Sequence, residues 1–166
     1  EGTEVNSHIV DRLFSAHRRT AASEKAVDLI ARREHSVAGL RSKLIKRRFD
    51  ADTVAAVCDE LVACGYLDDR RFAERWLEDR IRRRHEGRAR LLAGLSKAGV
   101  SRKTAAAAVE ETLPEGYEER AFADAVSDLE RRGVSESPRI ARRLNALGFP
   151  PGMIRDYLER SRPEQP

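Results

Sequence analysis

The chain has few aromatic residues and no long apolar run. Aromatic residues make up only 5% of its 166 residues, whereas charged residues make up 36% and apolar residues 40%. A large share of long charged helix formers beside thin apolar stripes is typical of an extended, all-helical protein. No apolar run approaches the roughly 18 residues of a membrane span, and the first residues lack the basic-then-apolar order of a secretion signal. We therefore expect a cytoplasmic protein that makes no membrane contact.

Cysteine and histidine are too scarce and too scattered to predict a disulfide or a metal site. Cys58 and Cys64 are the only cysteines, and they are six residues apart in one predicted helix. They should therefore point to different faces and not pair. The four histidines show no metal-ligand spacing with them. We expect no metal and no other cofactor.

The sequence does contain an internal repeat with a period of about 50 residues. Residues 31–61 align with residues 82–112 without a gap, and a third copy lies at 137–158. In each copy the second predicted helix carries two apolar residues four positions apart, the spacing of one buried helical stripe. These pairs are Leu40 and Leu44, Leu91 and Leu95, and Ile140 and Leu144.

Residues that favour helix ends and helix starts follow each of these stripes. The second helix should end at Phe49, at Gly99–Val100 and at Gly148–Phe149, where glycine can supply a helix C-terminus in two of the three copies. The third helix should open on Asp50, on Ser101 and on Pro150–Pro151, residue types that suit the first turn.

These features predict an all-α protein, an elongated and curved array of three tandem three-helix repeats with about nine helices. An N-terminal extension precedes the first repeat. The predicted bounds are 1–19 for the extension, 20–66, 67–114 and 115–162 for the repeats, and 163–166 for a C-terminal tail.

The segment GYLDDRRFAERWLEDR, residues 65–80, joins the first repeat to the second. Asp68 or Asp69 should cap the long helix that follows, because a carboxylate accepts from unpaired amides and favours the positive helix N-terminus. General acid or base chemistry would need a partner group, and the sequence names none. Phe72, Trp76 and Ile81 are more typical of a packed helix face than of a base-stacking surface.

Charge is strongly banded along the chain. Residues 31–49 carry seven basic residues and one acidic residue, and residues 68–103 carry twelve basic and six acidic residues. Between and after them, residues 50–67 carry four acidic residues and no basic one, and residues 104–134 carry eight acidic and three basic ones. The first two helices of a repeat are thus basic, whereas the third is acidic in repeats one and two.

If the repeats stack in register, the basic helices form a positive strip that attracts a polyanion. Contact should be with phosphate, and so sensitive to salt, because no base-reading element is present. The alternative is a set of solvated faces held by i,i+4 pairs such as Glu78 with Arg82. The strip would comprise Arg41, Arg47, Arg48, Arg82, Arg83, Arg84, Arg88, Arg90, Arg142 and Arg143.

The junction segment resembles the signature of the RecX family of bacterial regulatory proteins. The residues that carry the resemblance are Tyr66, Leu67, Asp68, Asp69, Arg71, Phe72 and Ala73. The similarity covers residues 20–160 and includes RLLAGLSKAGV in the second repeat and RIARRLNALGF in the third. One departure is that His85-Glu86-Gly87-Arg88 stands where the family commonly has a glycine-any-glycine-proline turn.

The resemblance implies a protein that binds the RecA recombinase and its filament on single-stranded DNA. Such proteins inhibit the ATPase, coprotease and strand-exchange activities of RecA and are not enzymes. The implied partners are the RecA filament and, through weak phosphate contacts, single-stranded DNA, with double-stranded DNA as a second candidate. We expect a monomer, because nine helices bury enough surface for one.

Two other classes of function remain as alternatives. One is a helical-repeat DNA-binding protein that acts independently of a recombinase. The other is an enzyme with groups assembled between repeats. A pocket that collected Asp68, Asp69 and His85 would favour an enzyme, but the helical rise of about 1.5 Å per residue separates them.

Overall fold

The computed structural model describes residues 7–161, and within that range the chain forms nine helices and no strand. The all-helical prediction of about nine helices is confirmed. The helices are α1 (Ser7–Ile30), α2 (Val37–Ile45), α3 (Ala51–Ala63), α4 (Asp69–Arg83), α5 (Arg88–Lys97), α6 (Arg102–Thr112), α7 (Tyr117–Arg131), α8 (Ser137–Ala146) and α9 (Pro151–Arg160). In the described part of the chain, no helix has both the length and the apolar character of a bilayer span.

The chain divides into two compact units. Unit 1 contains the chain as far as Phe72 together with Ala98–Val100, and unit 2 contains Ala73–Lys97 and the chain from Ser101 onward. The division falls inside α4, so the three predicted repeats do not coincide with the units. The predicted boundary at residues 19 and 20 falls within α1, which is one uninterrupted helix.

The core of unit 1 is built from small and aliphatic side chains of α1, α2 and α3. Ala22 and Ala26 let α1 approach closely, and Leu40 and Leu44 present the predicted stripe of α2. The cluster is completed by Val54, Val57, Cys58 and Leu67. Close packing therefore compensates for the scarcity of aromatic residues in this unit.

Unit 2 also uses aromatic residues in its core. The ring of Phe122 on α7 meets the ring of Phe149 edge to face, with centroids 5.2 Å apart, and the ring of Tyr157 on α9 at 5.9 Å. The predicted stripes of α5 and α8 are also buried, and Leu91, Leu95 and Leu144 are fully enclosed. The stripes predicted for the second helix of every repeat are confirmed.

The predicted helix starts are also present. The Asp50 carboxylate accepts the amide of Thr53 at the start of α3, and the Ser101 hydroxyl accepts the amide of Thr104 at the start of α6. In α9 the first turn begins at Pro151. Local residue chemistry therefore sets these boundaries.

The turn after the second helix is left-handed in all three repeats. Gly99 and Gly148 have φ values of 85° and 84°, and Arg48 occupies the corresponding turn of the first repeat with φ of 69°. Glycine adopts this conformation without steric cost, whereas a residue with a Cβ adopts it only with steric strain.

A hydrogen bond to a backbone carbonyl links successive repeats in both units. In unit 1 the hydroxyl of Ser36 donates to the carbonyl of Ala98. In unit 2 the amide of Gly87 donates to the carbonyl of Leu147 over 2.9 Å. Ser36 and Gly87 are equivalent positions of the sequence repeat, as are Ala98 and Leu147. We call this contact the repeat joint.

Candidate functional site

The two carboxylates of the junction segment cap two different helices. Asp68 accepts the amides of Arg70 and Arg71, at 2.7 and 3.3 Å, and so caps α4. Asp69 accepts the amide of Val37 over 2.8 Å, at the first residue of α2. Each carboxylate satisfies a backbone donor that has no partner within its own helix.

Arg71 of the same segment holds the end of α3. Its guanidinium donates to the carbonyls of Gly65 and Tyr66 and to the Glu34 carboxylate, at 2.9–3.1 Å. Leu67 lies in the unit 1 core, whereas the Tyr66 side chain is 65% exposed. These contacts favour a structural role for this part of the segment.

The aromatic residues of α4 lie at the edge of its buried face. Ala73 and Leu77 are fully buried, and Phe72, Trp76 and Ile81 are half-buried. The buried face of α4 is therefore centred on Ala73 and Leu77, one residue further along the helix than the predicted Phe72 and Trp76. The Trp76 ring lies against Gly94, where a Cβ would overlap it.

The catalytic alternative gains no support from these positions. Asp68 and Asp69 are bonded to backbone amides in unit 1. In unit 2, His85 lies 3.5 Å from the carboxylate of Asp124 and 3.7 Å from that of Asp128.

In unit 1 the predicted strip has three arginines, all on or just after α2. Arg41 pairs with Asp59 on α3 at 2.8 Å. Arg47 is exposed and donates to the carbonyl of Lys43 in its own helix. Arg48 is exposed in the left-handed turn.

In unit 2 three strip arginines lie at the end of α4. Arg82 and Arg83 both lie near the Asp79 carboxylate, at 3.9 and 2.9 Å, and both side chains are 74% exposed. The carboxylate that Arg82 meets is therefore that of Asp79 and not the expected Glu78, because an i,i+3 pair forms in place of the i,i+4 pair. Arg84 is also exposed.

The remaining strip arginines lie on α5 and α8. Arg88 pairs with Glu110 at 2.9 Å, and Arg90 lies 3.3 Å from the buried carboxylate of Glu86. Arg142 and Arg143 on α8 are exposed, with no carboxylate of the described residues within 4 Å.

The strip therefore contains two kinds of arginine, those with a carboxylate partner and those without one. Half of its members have a carboxylate partner. Four of these five pairs are exposed and weak, contributing about 0–1 kcal/mol, whereas Arg90 meets the buried carboxylate of Glu86. The other half have no such partner within residues 7–161. These are Arg47, Arg48, Arg84, Arg142 and Arg143.

A buried carboxylate that sequence reasoning missed organises two arginines in unit 2. Glu86 is only 2% exposed, and its oxygens accept from Arg80 at 2.6 and 3.1 Å and from Arg90 at 3.3 Å. The hydroxyl of Tyr117 donates to the backbone carbonyl of the same residue. The one sequence signal was that Glu86 stands in the turn that departs from the family pattern.

A buried histidine occupies the equivalent place in the first repeat. His35 is 6% exposed, and the Lys43 amino group lies within 3.5 Å of its ring nitrogens. Burial, with the positive charges of Lys43 and Arg33, lowers the pKa of His35, and the nearby Glu34 carboxylate opposes this only in part. The folded protein therefore favours the neutral ring.

We expect unit 1 to lose stability as the pH falls. Because the pKa of His35 is lower in the folded chain than its ordinary value of 6.5, its contribution is complete above pH 6.5 and is lost as the pH falls through the folded-state value. Urea unfolding at a series of pH values should show this decline. His35→Gln should reduce the pH dependence of the free energy of unfolding. An unchanged dependence in His35→Gln would contradict the assignment.

Comparison with protein families identifies two matching segments. Residues 22–61 match the model described as RecX, first three-helix domain, and residues 68–109 match RecX, second three-helix domain. The second match begins at Asp68, inside the junction segment.

Relatives and solved structures agree with these matches. The chain is 37% identical to Regulatory protein RecX of Treponema pallidum over 133 residues, 80% of each chain. It is 40% identical to Regulatory protein RecX of Thermus thermophilus over 129 residues, 77% of this chain and 83% of that one. The fold is similar to the crystal structure of a regulatory protein RecX, with a TM-score of 0.77 and 19% identity over 94% of this chain and 80% of that one. A RecX structure from Lactobacillus salivarius gives 0.72 and 15% identity, over 87% and 97% of the two chains.

Proposed function

Because the chain belongs to the RecX family of regulatory proteins, we propose that it binds the RecA recombinase and its filament on single-stranded DNA. Binding inhibits the ATPase, coprotease and strand-exchange activities of the filament. The observation that carries the proposal is the match to the first and second RecX three-helix domains, which includes residues 68–80 of the junction segment. The protein acts as a cytoplasmic monomer that binds to the filament, and not by catalysis.

Exposed arginines support a phosphate contact as part of this binding. Arg82, Arg83 and Arg84 form a basic group at the end of α4, and Arg83 and Arg84 line a cleft together with Arg132. The Asp79 carboxylate pairs with Arg82 and Arg83, so one negative charge faces the three positive charges of the cluster, which is only partly neutralised. Arginine guanidinium groups donate two parallel hydrogen bonds to phosphate, which makes such a cluster suited to a DNA backbone.

The proposal also gives a role to the acidic third helices. We propose that acidic residues such as Asp52 and Glu60 on α3 meet basic surfaces of the recombinase while the arginines meet phosphate. The protein then bridges neighbouring recombinase protomers and hinders their rearrangement or the growth of the filament.

The experiment that tests this function is ATP hydrolysis by RecA on single-stranded DNA. Substoichiometric amounts of the protein should inhibit hydrolysis, because one bound molecule affects more than the protomer it touches. Inhibition only at stoichiometric amounts would point to simple competition for DNA. No inhibition at any amount would disprove the proposed function.

Reversing the charge of the α4 cluster should weaken this inhibition. We expect Arg82→Glu/Arg83→Glu/Arg84→Glu to raise the concentration that half-inhibits ATP hydrolysis about tenfold, since it replaces attraction to phosphate with repulsion. The control is Arg102→Glu/Lys103→Glu/Arg155→Glu, which makes the same change in net charge at exposed positions outside the strip. Equal inhibition by the two folded variants would show that the cluster makes no specific contact.

The exposed arginines also favour one alternative function, that of a helical-repeat DNA-binding protein that acts without a recombinase. Gel-shift titration with the protein alone separates the two functions. The alternative requires tight binding to DNA, whereas the proposed function requires only weak binding in the absence of RecA.

A further inference from the structure

Unit 2 contains a second basic region, a groove of about 430 Å³ between α5 and the end of α8. Arg80, Arg90 and Lys97 line it, together with the Asn145 amide. The rest of its surface comes from small residues, among them Gly94 and Gly148. Small residues leave the backbone accessible, so a ligand can approach closely.

The two arginines of this groove are held in place before any ligand binds. Arg80 donates to both oxygens of Glu86, and its guanidinium lies 5.1 Å from the centre of the Trp76 ring. Arg90 donates to the same carboxylate through Nε. Each guanidinium therefore keeps further N–H groups for a ligand, and less side-chain entropy is lost on binding.

The groove also has an excess of positive charge. Glu86 supplies one negative charge against the three positive charges of Arg80, Arg90 and Lys97. Lys97 is exposed, and no carboxylate of the described residues pairs with it. Two positive charges thus remain for an anion.

A repeat of this kind can fold without a buried carboxylate that pairs with two arginines. At the positions of Arg80, Glu86 and Arg90, the first repeat has Leu29, His35 and Gly39. It nevertheless forms the same helices and the same repeat joint. A buried carboxylate with two arginines is at best a modest source of stability, so the groove calls for another explanation.

We infer that this groove binds a phosphodiester group of single-stranded DNA. The inference rests on the proposed function, in that it assigns one phosphate contact of that function to named residues. Fixed guanidinium groups match the planar, bidentate geometry of phosphate. The groove is lined largely by small residues, which suits a thin, flexible strand that approaches the backbone closely better than a folded acidic protein surface.

The test is fluorescence anisotropy of a labelled oligothymidine strand with the protein alone, at low salt so that weak binding is measurable. Lys97→Glu is the variant of choice, because Lys97 is exposed and takes no part in the Glu86 contacts. We expect a loss of affinity of about tenfold. The slope of log K against log salt should become shallower by ~0.7, the value for one phosphate contact on a single strand.

The sequence repeat provides a matched control in Lys46→Glu. Lys46 is exposed and holds the position of Lys97 in the first repeat, where Lys43 replaces Gly94. The control makes the same change in net charge, and we expect it to weaken binding less than about twofold, because Lys46 is not among the residues that line the groove and only the general attraction to the strand changes. Lys97→Arg should retain most of the affinity.

Several outcomes would overturn the inference. Equal weakening by Lys97→Glu and Lys46→Glu would indicate diffuse attraction, and no weakening by either would exclude the groove. Inorganic phosphate that displaces the strand beyond its effect on ionic strength would assign the groove to free phosphate. A loss of RecA binding without DNA, with strand binding intact, would assign it to an acidic protein surface. Because the strand titration contains no recombinase, it can fail while inhibition of ATP hydrolysis persists.

Discussion

Gly87→Ala should lower the free energy of unfolding of unit 2 by about 3 kcal/mol, from overpacking and from loss of a hydrogen bond at the repeat joint. A Cβ on Gly87 would lie 2.7 Å from the carbonyl carbon of Gly148 and 2.9 Å from the amide nitrogen of Phe149. These are backbone atoms, so the clash cannot be relieved by rotating a side chain. The hydrogen bond from the Gly87 amide to the Leu147 carbonyl must lengthen or break as these two segments of the chain move apart.

Urea unfolding followed by tryptophan fluorescence measures this effect, since Trp76 is the only tryptophan of the sequence and lies in unit 2. Gly152→Ala is the control. It adds the same methyl group to α9 where no atom lies within 4 Å, and it should change the free energy of unfolding by less than about 1 kcal/mol. Similar stability in the two variants would show that the repeat joint is not tightly packed.

Arg80→Leu should destabilise unit 2 by about 2–3 kcal/mol, because it removes the main partner of a buried carboxylate. The full cost of about 3–5 kcal/mol for breaking a buried pair is reduced here, since Arg90 still reaches Glu86 and the Arg80 side chain is itself 33% exposed. The same tryptophan fluorescence follows the change. Direct loss of the Arg80 contact to the Trp76 ring will alter the starting signal, so the midpoint in urea is the quantity to compare.

Two further variants separate the ion pair from a general effect on α4. Arg82→Leu removes an arginine from the same helix at a position that is 74% exposed, and we expect a change within about 0.5 kcal/mol. Adding Glu86→Gln to Arg80→Leu should recover part of the loss, because a neutral amide is less costly to bury than an unpaired charge. Strict additivity of the two substitutions would contradict the coupling of Arg80 and Glu86.

The features that sequence predicted correctly are those that depend on neighbouring residues. The stripe of Leu91 and Leu95 follows from a spacing of four, and the cap at Ser101 follows from a hydroxyl placed before a helix. The left-handed turn at Gly148 is equally local. All three could be read from a window of about one helix.

The features that sequence did not predict depend on contacts between distant segments. Asp69 could be placed at a helix start, but its partner is the amide of Val37, 32 residues earlier. In the sequence, Glu86 is only part of a turn that departs from the family pattern. The fold is what brings Arg80, Arg90 and Tyr117 around it. The charge bands were visible in the sequence, whereas the pairing of half of the strip arginines with carboxylates was not.

The left-handed turn after α2 has a consequence for how the three repeats can diverge. Gly99 and Gly148 take this conformation at no steric cost, whereas Arg48 takes it at about 1 kcal/mol. Mutation towards glycine at Arg48 would therefore relax the first repeat, and drift away from glycine at the other two turns would strain theirs. The Arg48 side chain is exposed on this turn, so Arg48→Gly would remove one arginine of the strip while it relieved the strain of the backbone.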